Sequence, residues 1–215
     1  MEFTAPMRQA KIEIIIKKSR FIGHVFPAFS EEEAIGQIES VRNQHRDATH
    51  NVFAYSVGIG NFAERASDDG EPRGTAGYPV LDVIKKRGLS NVACVVTRYF
   101  GGTKLGAGGL VRAYSNAASM ALDRAGLAVY MYHECLTAVV DYDQFGRVQR
   151  EIETSGSVIQ NISYAGKVTI EALALPETAS MLKNRIRDMT SGLGSADISP
   201  GRYLPVREAN PHENR

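Results

Sequence analysis

Residues 97–118 read TRYFGGTKLGAGGLVRAYSNAA, and this stretch decides how the first half of the chain folds. The run NVACVVTRYF, which ends inside it, is almost unbroken in apolar residues and predicts a strand covered on at least one face. From Leu110 to Ala125 apolar residues recur at i, i+3, i+4 and i+7, which predicts a helix that stops at Gly126. Between the strand and the helix lie five glycines.

A strand, a glycine-rich turn and a helix N-terminus together form a general anion-binding arrangement. Backbone N–H groups face outward there, and the helix dipole adds partial positive charge. Gly106, Gly108 and Gly109 would let the chain approach a phosphate closely, and Lys104 and Arg112 would supply full charges. These five residues are therefore candidates for binding an anion.

The glycine loop matches neither of the two common nucleotide-binding motifs. Ala107 and Gly108 stand where a Walker A loop needs Lys and Ser or Thr, and the dinucleotide pattern GxGxxG is absent. A purely structural interpretation also remains for Gly101 and Gly102, since a tight turn can require positive φ there. No cofactor is expected from this sequence.

The distribution of charged residues along the chain is more informative about binding partners than the net charge. The chain has 215 residues and a net charge of +1, which argues against a strongly polyanion-binding protein. Between residues 83 and 122, however, there is no Asp or Glu, and this segment is a candidate footprint for an anionic partner. The alternative is an evenly solvated basic face. The basic residues of the segment are Lys85, Lys86, Arg87, Arg98, Lys104 and Arg112.

Composition also bears on location. No apolar run approaches the roughly 18 residues of a membrane span, so no membrane partner is expected. The N-terminus MEFTAPMRQA lacks the pattern of a signal peptide. Cys94 and Cys135 lie in strand-like runs and are expected to be buried reduced thiols, which favours a cytoplasmic protein.

Hydrophobic patterning predicts an α+β chain with two domains. In the first, strands are expected at 11–17 and 21–26, and Ser30 and Glu33 form a capping box that opens a helix. A strand HNVFAYSVG, a long loop NFAERASDDGEPRGTAG and a short helix within TAGYPVLDVIKKRG that closes at Gly88 follow. After Gly126 the order of elements is βαββαβ, a ferredoxin-like plait. The predicted parts are residues 1–126, residues 127–205 and a polar tail, 206–215.

The acidic segment SDDGEPRGTAG, residues 67–77, has two interpretations. Asp68, Asp69 and Glu71 could hold a hard cation such as Mg²⁺, but their spacing matches no calcium loop and is ordinary in turns. We therefore expect no metal site. Arg73 could join the basic surface. The histidines follow no ligand spacing, and no catalytic set of residues is predicted.

Several segments together resemble the IMPACT family, in particular its bacterial branch typified by YigZ. They are KKSRFIGHVFP, DATHNVFAYSVG, SDDGEPRGTAGYPVLDVI and VVTRYFGGTKLGAGGLVRAYSNAA, and they span about residues 19–118. The plait after Gly126 is similar to the second domain of the bacterial members.

The resemblance implies a fold for each domain. The first would be a left-handed βαβ domain of the type found in a ribosomal protein, in domain IV of elongation factor G and in GHMP kinases. The second would resemble domain V of elongation factor G. The loop lacks the serines of the kinase motif GLGSSA, which argues against kinase activity but not against phosphate affinity.

The resemblance also implies a role in translation. Eukaryotic relatives regulate translation through an additional RWD domain that this chain lacks, so only an RNA- or ribosome-associated regulatory role carries over. We expect the glycine loop with Arg98, Lys104 and Arg112 to contact RNA phosphates. Tyr99 either stacks on a base or serves as a core aromatic.

Two other functions remain open at this stage. One is an enzyme acting on a small phosphorylated or nucleotide ligand, with Asp68, Asp69 or Glu71 as metal ligands or base. The other is a protein-interaction module in which the glycine loop is only scaffold. The sequence does not predict an oligomeric state.

Overall fold

The computed structural model describes residues 2–209, which form an α+β structure with two sheets and thus confirm the predicted fold class. The elements of the first half are β1 (Glu2–Pro6), β2 (Ala10–Ile16), β3 (Ser19–Pro27), α1 (Glu31–Gln44), β4 (His50–Val57), β5 (Ala63–Ser67), α2 (Gly77–Lys86), β6 (Val92–Tyr99) and α3 (Ala107–Ala125). Those of the second half are β7 (Leu127–Val140), α4 (Tyr142–Thr154), β8 (Val158–Tyr164), β9 (Val168–Ala174), α5 (Pro176–Met189) and β10 (Ser195–Glu208).

Strand β6 is the centre of the first sheet, whose antiparallel order is β2-β3-β6-β4-β5. Successive side chains of a strand point to opposite faces. Cys94 and Val96 accordingly join the core formed with α2 and α3, while Ala93 and Val95 join the core beneath α1. The strand reads as a continuous apolar run because helices cover both of its faces.

Helix α3 lies in direct contact with β3. Its buried face is a row of small residues, and a Cβ added to Gly23 of β3 would lie 2.8 Å from the carbonyl oxygen of Ala117. Only glycine allows the helix backbone to approach the strand so closely. The buried small residues of α3 are Ala113, Ala117, Ala118, Ala121 and Ala125.

The predicted capping box at the start of α1 is confirmed with one difference. The hydroxyl of Ser30 accepts a hydrogen bond of 3.2 Å from the Glu33 N–H, as expected. The Glu33 carboxylate accepts in return from the Phe29 N–H at 2.7 Å, not from the N–H of Ser30. Both bonds satisfy donors near the helix N-terminus.

The second half has the predicted βαββαβ order. Its sheet runs β1-β7-β9-β8, with β10 also paired to β7, and α4 and α5 pack on β9. No helix within residues 2–209 is long and apolar enough to cross a membrane. The buried core of this half is formed by Leu136, Ala138, Val140, Val148, Ile152, Val168, Ile170, Ala172, Ala174, Ala179, Leu182, Ile186 and Ala196.

Three segments differ from the predicted pattern. Residues 63–67, predicted as loop, form β5, because backbone bonds to β4 stabilise this polar edge strand. Residues 2–6 form the unpredicted strand β1. Residues 206–208 of the predicted tail belong to β10, and residues 210–215 lie outside the described part.

Contacts divide the chain into two units, 130–204 with Glu2, and 3–129 with 205–209.

His24 and His45 are two buried histidines on the α1 side of the first sheet. Their rings are 5.6 Å apart, and neither Nε2 has a hydrogen-bond partner within residues 2–209. Tyr99 donates to Asp47, so the Nδ1–H of His45 must donate to the Tyr99 oxygen, 2.9 Å away. Burial, followed by the positive charges of Lys11 and His45, lowers the pKa of His24 to about 4.

This lowered pKa predicts a loss of stability in mild acid. The unfolded chain takes up a proton on His24 near pH 6.5, whereas the folded chain resists until about pH 4. The stabilising contribution of neutral His24 is therefore complete above pH 6.5 and decreases as the pH falls toward 4. We expect the urea midpoint of the wild type to drop in this window more steeply than that of His24→Gln. Equal pH dependence in the two proteins would contradict this assignment.

Candidate nucleic-acid interface

Most basic residues of the segment without acids are neutralised by carboxylates from elsewhere in the chain. Within residues 2–209, only Lys104 and Arg112 of the six have no acidic partner, and both are exposed. The predicted footprint is therefore reduced to two cations. The neutralised pairs are Lys85–Glu64 at 2.8 Å, Lys86–Asp82 at 2.7 Å, Arg87–Asp123 at 2.6 Å and Arg98–Glu71 at 2.6 Å.

The prediction that Arg98 lies on the binding surface is wrong. Its side chain is 6% exposed, and its guanidinium donates to Glu71 at 2.6 Å and to the hydroxyl of Ser19 at 3.3 Å. Strand alternation places Arg98 on the same face as Cys94 and Val96, under α3. The positive charge of Arg98 is paired with Glu71 inside the protein and is not available to bind a partner.

Tyr99 lies on the opposite face, next to the end of α1. Its hydroxyl bonds to Asp47 at 3.1 Å and to His45 at 2.9 Å, and the guanidinium of Arg20 lies 5.1 Å from its ring centroid. These contacts agree with the structural interpretation of this ring. They do not place it with Lys104 and Arg112 on the α3 side.

Phe100 is the aromatic residue that the sequence analysis missed. Its side chain is on the α3 side of the sheet, next to the glycine loop, and the residue is 47% exposed. The guanidinium of Arg98 lies 5.4 Å from its ring centroid, and its N–H donates to Thr49 at 3.0 Å. The sequence signal that could have indicated it is the position of a large apolar residue directly between a buried strand and a glycine turn.

The first two glycines of the loop have structural roles. A Cβ on Gly101 would lie 1.9 Å from the carbonyl oxygen of Lys18, and Gly102 has φ +82°. The Gly101 N–H also donates to the hydroxyl of Ser19 at 3.2 Å. Gly102 thus has the positive φ of the structural interpretation, whereas Gly101 does not, and its lack of a side chain is required by the close approach of the Lys18 carbonyl.

The N-terminus of α3 is uncapped and open. Gly106 is the N-cap at φ +72°, no side chain caps it, and the first turn contains no acidic residue. The first helical bond joins Leu110 N–H to the Gly106 carbonyl, which leaves the N–H groups of 107–109 without an intrahelical acceptor. Helix α3 begins at Ala107, three residues earlier than predicted.

Gly108 has no evident folding role. Its φ is not positive, and the only atom within 4 Å of an added Cβ is a guanidinium nitrogen of Arg112, at 3.9 Å. A helical glycine costs up to about 1 kcal/mol relative to alanine. Gly109 differs, because its added Cβ would contact the Cβ of Leu105 at 3.0 Å. An open glycine beside a guanidinium is suited to the close approach of a ligand.

The acidic loop before α2 is held by hydrogen bonds within the protein. Asp68 accepts from the N–H groups of Gly74, Ala76 and Gly77 at 2.7, 3.0 and 2.8 Å and so caps α2. Asp69 accepts from the Asn51 N–H at 2.6 Å. No group of three or more metal-ligating side chains occurs in the described part of the chain. The loop therefore has ordinary turn and capping chemistry.

Glu71 is the buried centre of this loop. Its Oε1 accepts from Arg98 at 2.6 Å and from the Tyr114 hydroxyl at 2.7 Å, and His50 Nε2 lies 3.9 Å away. Burial, followed by the bond to Glu71, raises the pKa of Tyr114, so its hydroxyl keeps its proton. Arg73, two residues further along, is exposed. Because its carboxylate is buried and already bonded to Arg98 and Tyr114, Glu71 is not free to act as the base that the enzyme hypothesis considered.

The Impact N-terminal domain matches residues 17–122, a range that contains every candidate site residue. A domain of unknown function, DUF1949, matches residues 139–193. The chain is 38% identical over 200 residues to IMPACT family member YvyE of Bacillus subtilis, covering 93% of this chain and 91% of that protein. The chain belongs to the IMPACT family.

Other IMPACT relatives are similar over shorter segments. IMPACT family member YigZ of Escherichia coli is 44% identical over 109 residues, which cover 50% of this chain and 53% of that protein. Protein IMPACT of Mus musculus is 30% identical over 100 residues, covering 44% and 31%. The crystal structure of a hypothetical protein is 29% identical in sequence, with a TM-score of 0.63 over 94% of this chain and 98% of that one. The two-domain architecture of the family is therefore present here.

The buried ion pair predicts a large difference between two cation deletions. Arg98→Met leaves the Glu71 carboxylate buried without its cation and should cost about 3–5 kcal/mol of unfolding free energy. Lys86→Met breaks an exposed pair with Asp82 and should cost at most about 1 kcal/mol. Urea unfolding measures both. Similar costs for the two variants would show that the buried pair does not stabilise the fold.

Two glycines of the loop should respond in opposite ways. Gly101→Ala places a methyl against the Lys18 carbonyl and should destabilise the protein by about 1–3 kcal/mol. Gly108→Ala meets open space, so it should stabilise α3 by up to about 1 kcal/mol while weakening the binding of an anion at the helix N-terminus. Urea unfolding and titration with oligonucleotides test both parts. Unchanged binding by Gly108→Ala would exclude close approach at this position.

Proposed function

We propose that this protein binds RNA phosphates through its α3 surface and acts as an RNA- or ribosome-associated regulator of translation. The α3 surface comprises the N–H groups of residues 107–109 with Arg73, Phe100, Lys104, Gly106, Gly108, Gly109 and Arg112. One observation carries the proposal. Four of the six basic residues in the segment without acids are neutralised by carboxylates, and the two that remain flank the uncapped N-terminus of α3.

The chemistry of this surface favours an anion. Unsatisfied N–H groups and the positive end of the helix dipole attract negative charge, and no carboxylate in the first turn competes for them. Arg112 extends back along the helix to Gly108, which brings its guanidinium beside these N–H groups. A phosphate there would receive backbone and guanidinium hydrogen bonds together.

The openness of the surface favours a polymer over a small molecule. Pockets for small ligands are concave and bury most of the ligand. Lys104, Gly106, Gly108 and Arg112 are all exposed. Phe100, on the same side of the sheet, offers a face on which an unpaired base could stack, the role first considered for Tyr99.

The translational role rests on family membership. The resemblance implies an RNA- or ribosome-associated function for the part that bacterial and eukaryotic members share, and the α3 surface lies within the matched range 17–122. A cytoplasmic location is part of the proposal. Both cysteines are free: Cys94 is buried as predicted, which raises the pKa of its thiol to about 12, whereas Cys135, also predicted to be buried, is only half-buried. Free thiols are typical of proteins in a reducing compartment.

Substitutions of the two unpaired cations test the α3 surface. Lys104→Ala and Arg112→Ala should each weaken binding to single-stranded RNA and reduce the slope of log K against log salt by roughly 0.7. Lys86→Ala is the matched control, because this lysine belongs to the same segment but pairs with Asp82. Phe100→Leu should reduce the preference for single-stranded over duplex RNA. Filter binding over a series of salt concentrations measures all four variants.

Other outcomes discriminate among the functions. RNA binding that is insensitive to salt and unchanged in Lys104→Ala and Arg112→Ala would exclude the α3 surface. Loss of mononucleotide binding in these variants, with RNA binding weak and unchanged, would favour an enzyme with a small phosphorylated ligand. Calorimetry with a 5′-mononucleotide distinguishes these cases.

A further inference from the structure

The turn between β2 and β3 consists of two lysines in an unusual backbone conformation. Ile16 pairs with Ser19, so Lys17 and Lys18 alone form the loop, with φ +46° and +67°. Positive φ at both positions is the hallmark of a type I′ turn, which Asn-Gly and Gly-Gly favour. Lysine rarely adopts this conformation, because its Cβ then lies too close to the backbone.

Neither lysine gains a compensating contact within the protein. Both residues are exposed, and neither has a hydrogen bond or an ion pair with any residue from 2 to 209. The nearby Arg20, in contrast, pairs with Glu13 at 2.9 Å. Two adjacent positive charges thus remain free where the backbone would favour other residues. Strain without a stabilising contact is characteristic of functional positions.

This turn is close to the α3 surface. The Lys18 carbonyl is the group that an added Cβ on Gly101 would meet, and the Ser19 hydroxyl binds the Gly101 N–H. From Gly101 the chain reaches Gly106, the N-cap of α3, in five residues, a span of at most about 18 Å. One strand of a nucleic-acid helix advances about 3.4 Å per nucleotide, so this upper limit corresponds to about five nucleotides, and a strand of about six nucleotides is long enough to reach both places.

We propose that Lys17 and Lys18 form a second phosphate contact on the same RNA strand, up to about five nucleotides away from the α3 surface. The inference rests on the proposed function and adds to it the size of the ligand. An oligonucleotide of about six nucleotides engages both contacts. A mononucleotide or dinucleotide engages only one. The affinity of the protein for RNA therefore depends on chain length.

Two double substitutions separate charge from backbone strain. Lys17→Asn/Lys18→Gly removes the charges and installs the preferred turn residues, so its melting temperature should rise. Lys17→Gln/Lys18→Gln removes the charges but keeps the strain, so its melting temperature should stay near that of the wild type. Lys17→Arg/Lys18→Arg keeps both charges and is the matched control.

Binding to oligouridylates of 2, 6 and 12 nucleotides is then measured over a series of salt concentrations. The wild type and the arginine control should bind the 6-mer several-fold more tightly than the 2-mer. Both uncharged variants should lose this difference, and their salt slope for the 12-mer should fall by roughly 0.7, the value for one lost phosphate contact. Binding of the 2-mer should not change.

The results distinguish this inference from the proposal on which it rests. If Lys104→Ala weakens RNA binding while both uncharged turn variants keep the length dependence and the salt slope, the second contact is wrong and the α3 surface stands. If the wild type binds none of the oligonucleotides, both proposals are wrong. A lower melting temperature for Lys17→Asn/Lys18→Gly would show that the lysines are not strained.

Discussion

The carboxylate of Glu71 holds together three elements that are distant in sequence. It brings the loop before α2 to Arg98 at the end of β6 and to Tyr114 in the first turns of α3. A buried charge needs such partners, because desolvation would otherwise expel it. The strand end and the helix start are thus fixed on either side of the glycine loop, and the geometry of the α3 surface depends on this interaction.

The ion pair between Arg98 and Glu71 is one of four that reduce the number of basic residues available to a partner. A sequence count gives six basic residues in the segment without acids, but folding supplies carboxylates to four of them from residues 64, 71, 82 and 123. The charges available to a partner are those left over. Of the six, these are Lys104 and Arg112 at the N-terminus of α3. Outside the segment, the turn formed by Lys17 and Lys18 adds two exposed lysines without an ion pair in the described part of the chain.

The spacing of apolar residues along the chain predicted the type and order of most helices and strands. The buried strand β6, the small-residue face of α3 and the βαββαβ order of the second half all follow from such patterns. Arg98 could not be placed in the same way, because alternation along β6 does not say which face carries a buried carboxylate. Strand β5 was missed because its polar sequence AERAS is held by pairing with β4, which only the folded chain reveals.

The close contact between Gly23 and Ala117 has a consequence for recognition. With no space between β3 and α3, the helix cannot slide or rotate on the sheet without a backbone clash. Its N-terminal N–H groups are therefore held in one orientation before any partner arrives. A partner that docks there incurs little cost for ordering the protein side, so its affinity reflects mainly the match between its own shape and charge and a rigid template.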